Sequence, residues 1–229
     1  MNHTQRRGHP RTRAALLGAA LLMGCLAPAT AASEGPAAGI WDVFHARRSV
    51  RKFKPDGVPQ ADLVKILDAA RTAPTSGNQQ PWKFLVIRDR EKISRMREAC
   101  VKRALERFDS RGDTSTSRER YENGIRDMYG DYFSAPVYVV ILTDNTSLYP
   151  DYNHWDGPMA ASYLMLAARA LGYGTVFITD SIPDSVTRQV LHIPERYTRV
   201  CVTPLGVPVE WPPSPPKKEL ADFIAYEVL

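Results

Sequence analysis

A chain of 229 residues with 30 basic and 25 acidic side chains has a formal charge of +5, but the excess is local. Four arginines (Arg6, Arg7, Arg11, Arg13) and no acidic residue fall in residues 1–31, so 229 less 31 leaves 198 residues holding 26 basic against 25 acidic groups. That balance argues against the nucleic-acid partner that a pI of 9.1 would suggest, and 198 residues suffice for one domain with a real core.

Residues 1–31 read as a removable export leader. The arginines form a basic head, Ala14–Leu26 is an apolar run of 13 residues, and Ala29-Thr30-Ala31 has the small residues that a signal peptidase cuts. A membrane span needs roughly 20 apolar residues, so the run is too short for an anchor. Leu22-Met23-Gly24-Cys25 resembles a lipobox, which leaves two outcomes open: soluble secretion, or a membrane tether through a lipidated Cys25. Arg6-Arg7 hints at twin-arginine export, although Gly8-His9-Pro10 fits that pattern poorly. The expected location is outside the cytoplasm.

After the leader, Ile40 to Ala46 is a short helical lead-in to Arg47-Arg48-Ser49-Val50-Arg51. Leu63, Ile66, Leu67 and Ala70 recur at helical spacing, and Pro74 stops that helix. Thr75-Ser76-Gly77-Asn78 is a tight turn delivering Trp82 into a strand that runs to Arg88. Glu91–Phe108 is a charged amphipathic helix, Asp109–Ser117 a polar loop, and Arg118–Tyr129 a second polar helix. Pro136–Thr143 is almost wholly apolar and predicts a buried central strand. Asp156 can cap a helix carrying Met159, Leu164, Met165, Leu166, Ala167 and Leu171, which ends at Gly172 and Gly174. Being apolar on most sides, that helix is expected to be buried. Thr175–Thr179 and Val200–Leu205 predict two further strands, Pro208–Pro216 an extended arm, and Lys217 the start of a last amphipathic piece. No internal repeat occurs.

The chemistry begins from absences. There is no G-x-S-x-G, H-E-x-x-H, G-x-x-x-x-G-K-[ST] or G-x-G-x-x-G motif. His45, His154 and His192 stand at no ligand spacing, so no metal site is expected. Cys100 and Cys201 define neither a zinc pattern nor a disulfide framework, and their pairing stays open. Without an acid–base pair or nucleophile, catalysis must be placed on a cofactor. Arg47, Arg48, Arg51 and the Ser49 hydroxyl suit a phosphate of about −1.5 to −2 charges.

Three ordered blocks resemble the nitroreductase family: RRSVRKFKPDGVPQADLVKILDAARTAPTSGNQQPWKFLVI, AASYLMLAARALGYGTVFI, and LHIPERYTRVCVTPLGVPVEWPPSPPKK. The resemblance spans about Ile40 to Leu229 and implies one α+β domain over 40–229, with a mixed, mainly antiparallel central sheet flanked by helices. It also implies a homodimer with a C-terminal arm crossing between subunits, and FMN as cofactor. Arg47, Arg48 and Ser49 would hold the FMN phosphate and ribityl chain, joined by Lys217 and Lys218, and Arg51 would lie by the pyrimidine edge. Thr75, Ser76, Gly77 and Asn78 resemble the turn that approaches the flavin from the partner subunit. Thr179 and Asp180 stand where relatives approach N5 through backbone amides; many relatives carry Gly there, and Asp180 is equally readable as a helix cap before Ile182-Pro183.

The implied activity is hydride transfer from NAD(P)H through flavin N5 to a small oxidised acceptor, such as a nitroaromatic or quinone, in a ping-pong scheme. Two alternatives remain. R-R-S-V-R also resembles the iodotyrosine deiodinase branch, although Asn78-Gln79-Gln80 follows the nitroreductase pattern and only Asp109–Tyr132 is long enough for a substrate lid. The other is an exported flavin-binding protein without turnover.

Overall fold

The structure, a computed structural model, describes residues 39–112 and 115–228; the leader expectation, Cys25 included, falls outside them. The apolar run after Pro136 becomes β2 (Val137–Asp144), buried along almost its whole length. It lies between β1 (Trp82–Ile87) and β4 (Tyr197–Gly206), and β4 also pairs with the short β3 (Gly174–Thr175). All three pairings are antiparallel, in the order β1-β2-β4-β3.

Alternation along β2 divides the core in two. Val137, Val139 and Ile141 face α2 (Gln60–Ala70) and α5 (Asn153–Ala170). Tyr138, Val140 and Leu142 face α3 (Arg90–Arg111) and α6 (Asp184–Leu191), where α4 (Arg118–Tyr132) packs as well. The lead-in helix is α1 (Ile40–Ala46). Cys201 belongs to the first layer and Cys100 to the second; both are free and buried, and burial pushes each thiol up to about 12.

Four expectations need correction. Asp156 is not a cap: α5 begins at Asn153, and Asp156 lies in its first turns, only 4 % exposed. The strand expected over 175–179 pairs only at Gly174–Thr175 and resumes as a single bridge, Ile178 with Val202. Continuing the register sets Val176 opposite Pro204, which has no N–H to give the ladder. α5 is not buried all round. Its Ala161, Leu164 and Ala168 meet the sheet layer, while Trp155, Met159 and Tyr163 are exposed. The last amphipathic piece, from Lys217, buries no apolar face: it is irregular up to one 3-10 turn at Leu220–Phe223, with Leu220 and Phe223 exposed. The sequence reading also assigned no element to α6, whose eight residues bury Val186, Thr187 and Val190.

One irregularity matters later. Ile141 pairs with Cys201 but Leu142 with Arg199, so Val200 is an extra residue in β4. Val200 packs into the layer of α2 and α5, where Gly157 leaves room: a Cβ at 157 would lie 2.4 Å from Val200 Cγ2. Gly157→Ala is therefore expected to destabilise by about 1–3 kcal/mol through overpacking, reduced by about 1 kcal/mol of helix propensity. Urea midpoints should show the loss, and adding Val200→Ala should recover part of it; unchanged midpoints would reject the packing argument.

Candidate functional site

The arginine segment is held by its alternate residues. Val50 and Phe53 are buried in the core. Val50 N–H donates to Thr175 O (3.0 Å), Lys54 N–H to Val207 O (2.8 Å), and Val209 N–H to Lys52 O (3.1 Å). Ser49 bridges Thr175 in parallel, so the segment forms a rim beside β3. Arg47, Arg48 and Ser49 are thereby left half-buried and Arg51 exposed. Among the described residues, Arg48 donates to the carbonyls of His45 and Arg47, and Arg51 to that of Ser49. Among the described residues, none of the three guanidinium groups pairs with a carboxylate. Cations at half-buried positions with no internal counter-charge are arranged for an external anion.

The root of the arm, Pro208–Val209, docks on Lys52 and Phe53, and Arg169 lies 4.0 Å over the Trp211 ring. Lys217 and Lys218 lie further along, exposed. No contact among the described residues joins them to Arg47, Arg48 or Ser49.

The turn at 75–78 is a 3-10 turn with left-handed backbone at Gly77 (φ 57), Asn78 (φ 54) and, just beyond, Gln80 (φ 48). Gly77 is required twice over, since a Cβ there would also lie 2.5 Å from Tyr149 Cε2. Buried polar groups hold the turn from beneath. Asp156 accepts from Ser76 N–H (3.2 Å) and from Gln79 Nε2 (2.7 Å). Gln79 also donates to Tyr149 O (3.0 Å) and accepts from Tyr149 N–H (2.7 Å). Asn153 Nδ2 donates to Asp144 O (2.9 Å), and Gln80 N–H to Thr75 Oγ1 (3.2 Å). Asn153, Asp156 and Gln79 were not singled out from the sequence as holding this turn. The available signal was an Asn and an Asp at the start of a largely apolar helix.

Thr179 and Asp180 form an exposed turn leading from the Ile178 bridge towards α6. Asp180 caps nothing, because α6 starts at Asp184 behind Pro183. The turn is gripped through its carbonyls: Arg199 Nη2 donates to Thr179 O (2.9 Å) and Nη1 to Ile182 O (2.6 Å), and Tyr129 OH donates to Ser181 O (2.9 Å). Burial pushes the Tyr129 phenol up to about 12, keeping it a neutral donor. Among the described residues, the Thr179 and Asp180 N–H groups have no acceptor. On one side of the turn, Thr179, Phe177, Asn153, His154 and Val200 line a cavity of about 750 Å³. On the other, Asp180, Asp184, Arg103 and Arg107 line one of about 630 Å³, and Arg199 borders both.

These features fit a phosphorylated planar cofactor: uncompensated guanidinium groups and a hydroxyl at one end, unpaired amides at a ligand-sized cavity at the other. The backbone from Thr175, which bridges Ser49, to Thr179 joins the two. Asn153, which lines the cavity and approaches Gln79 Nε2 through its Oδ1 (3.4 Å), links it to the 75–78 turn.

A family model described as the nitroreductase family matches residues 45–207. An Archaeoglobus fulgidus protein provisionally named NADH dehydrogenase/NAD(P)H nitroreductase is 31 % identical over 173 residues, covering 72 % of this chain and 83 % of that protein. The iodotyrosine deiodinase of Thermotoga neapolitana is 26 % identical over 183 residues, covering 79 % and 95 %. Among solved structures, an FMN-dependent nitroreductase from Clostridium difficile R20291 is similar with a TM-score of 0.60 at 26 % identity, covering 82 % of this chain and 99 % of that one.

Asp156→Ala removes two hydrogen-bond acceptors from beneath the 75–78 turn, and a buried donor left unsatisfied costs about 1–3 kcal/mol. Denaturant unfolding should register that loss, with faster amide exchange at Ser76; unchanged exchange would show that the turn does not depend on this carboxylate.

Proposed function

The chain belongs to the nitroreductase family, and on that footing we propose that it is an exported FMN-dependent oxidoreductase carrying electrons from NAD(P)H to a small oxidised acceptor. One observation carries the reading: among the described residues, Arg47, Arg48 and Arg51 stand without a carboxylate partner on a rim bridged to the segment that ends at Thr179. FMN when bound supplies two-electron chemistry that no side chain here offers, taking a hydride equivalent from the nicotinamide and passing one to a nitroaromatic or quinone in separate half-reactions. The protein's own part is binding, orientation and exclusion of water.

Arg47, Arg48 and Ser49 hold the phosphate, with Lys217 and Lys218 completing the set once the arm is seated. Arg51 sets a positive charge at the pyrimidine edge, which favours the electron-rich form. The Thr179 and Asp180 amides donate to the ring system. Phe177 gives the adjoining cavity an apolar wall. Thr75, Ser76, Gly77 and Asn78 serve the neighbouring subunit's site.

A homodimer is part of the proposal. The exposed stripe Trp155–Met159–Tyr163 on α5 and the outer edge of β1, which pairs with β2 alone among the described residues, are surfaces that soluble chains cover. Leu220, Phe223 and Tyr226 on the arm are likewise exposed, supplying apolar groups for a crossing segment. Similarity to iodotyrosine deiodinases supports a second reading, reductive dehalogenation, which iodide release from iodotyrosine would distinguish.

The purified protein should be yellow and should bleach on anaerobic addition of NADPH. Arg48→Ala should weaken FMN binding about 10- to 100-fold, as expected for a charge-assisted bond of about 1.5–3 kcal/mol. Protein that stays colourless with added FMN rejects the function. The same preparation reads export through its intact mass: loss of residues 1–31, or a lipidated Cys25 terminus, supports it, and an uncut chain does not. Light scattering should give twice the chain mass, with Trp155→Glu dissociating the pair; a monomeric wild type rejects the dimer.

A further inference from the structure

We propose that Arg199 is a positioning residue that aims the Asp180 amide at the bound cofactor and raises the cofactor's reduction potential; this rests on the reading of that turn as part of the FMN site. The argument starts from the bulge in β4. Cys201 faces the layer of α2 and α5. Strict alternation would send Arg199 to the same face. Because Val200 is extra, Val200 takes that face and Arg199 reaches the α6 side. Bulges are known for re-aiming a side chain in this way.

There the guanidinium is enclosed, its side chain 7 % exposed. Its Nη atoms hold the Thr179 and Ile182 carbonyls at 2.9 and 2.6 Å. Its Nε lies 3.3 Å from Asp184 Oδ1, an ion pair whose geometry falls outside a hydrogen bond. The other oxygen of Asp184 is occupied by Arg188 Nε at 2.6 Å. One carboxylate is thus shared by two guanidinium groups, and Asp180 and the neutral thiols of Cys100 and Cys201 are the other titratable groups acting on Arg199. Burial lowers the pKa of Arg199 without taking away its charge at neutral pH, because Asp184 acts against the desolvation.

The geometry of one peptide unit turns this clamp into an effect on the ligand. Thr179 C=O and Asp180 N–H belong to the same planar trans peptide and point in opposite directions. Drawing the carbonyl inward onto Arg199 directs the amide outward. Loading the oxygen with a cation also polarises that amide as a donor. A turn needing only closure would not require a desolvated cation, which is costly to bury. A lysine could not span the two carbonyls, since the arrangement uses the planar fork of arginine. An amide strengthened in this way favours whichever form of the ligand carries more negative charge, which for a flavin is the reduced one.

The test compares wild type, Arg199→Met, Arg199→Lys and Asp184→Asn by FMN titration and by anaerobic measurement of the midpoint potential, with melting temperature as the control for folding. Arg199→Met should lower the ratio of reduced- to oxidised-FMN affinity about tenfold, which is about 30 mV more negative for a two-electron couple. Arg199→Lys should fall between, and Asp184→Asn should shift the potential the opposite way, a sign reversal that loss of structure alone would not produce. Potentials equal to wild type in a folded, FMN-loaded Arg199→Met overturn the proposal. If that variant does not fold, equal potentials in Arg199→Lys and Asp184→Asn overturn it instead. A wild type that binds no FMN overturns this proposal and the function together, whereas FMN-bound wild type with unchanged variants overturns this one alone.

Discussion

Burial of β2 on both faces is the constraint from which the rest of the molecule follows. A strand with Val137, Val139 and Ile141 on one face and Tyr138, Val140 and Leu142 on the other must be covered twice. Each such side chain contributes about 1.5–3 kcal/mol when fully removed from water. With helices on both faces, backbone is left accessible at the sheet margins. The Ser49–Arg51 rim and the 177–180 turn both lie at the β3 margin, so the elements that are energetically least committed are those free to meet a ligand.

The distribution of charge supports the same division. Arg71, Arg97, Arg118 and Arg126 each pair with a carboxylate on their own helix or a neighbouring one, a pattern of solvated faces worth little individually. Arg47, Arg48 and Arg51 have no such partner among the described residues. Arg199 is the opposite extreme, its side chain buried with both Nη atoms on backbone carbonyls and its Nε ion-paired to Asp184. Three uses of one side chain, surface pairing, ligand capture and internal clamping, are separated by burial and by what stands opposite.

Features coded within a few residues were legible from sequence. The apolar run of β2, the polar helices α3 and α4 and the Gly77 turn all emerged near their true bounds. Features that depend on a distant partner were not. Asp156 resembles a cap because Asp often is one; its role is set by Ser76 and Gln79, about 80 residues earlier. The β3 region lost its ladder to Pro204 on the neighbouring strand, and apolar content on α5 could not distinguish the positions that enter the chain's own core from those that stay exposed. Arg199 was invisible because one inserted residue reverses which face it occupies. In the candidate site, the residue types and their order were readable, whereas the groups holding the two turns came only with the structure.

The burial of Cys100 and Cys201 has a consequence for how the protein meets reactive small molecules. Soft electrophiles alkylate sulfur, and the reactive form of sulfur is the thiolate. Cys100 and Cys201 stay protonated and sealed on opposite faces of the sheet, so the described residues present no accessible thiolate to an electrophile arriving from solution.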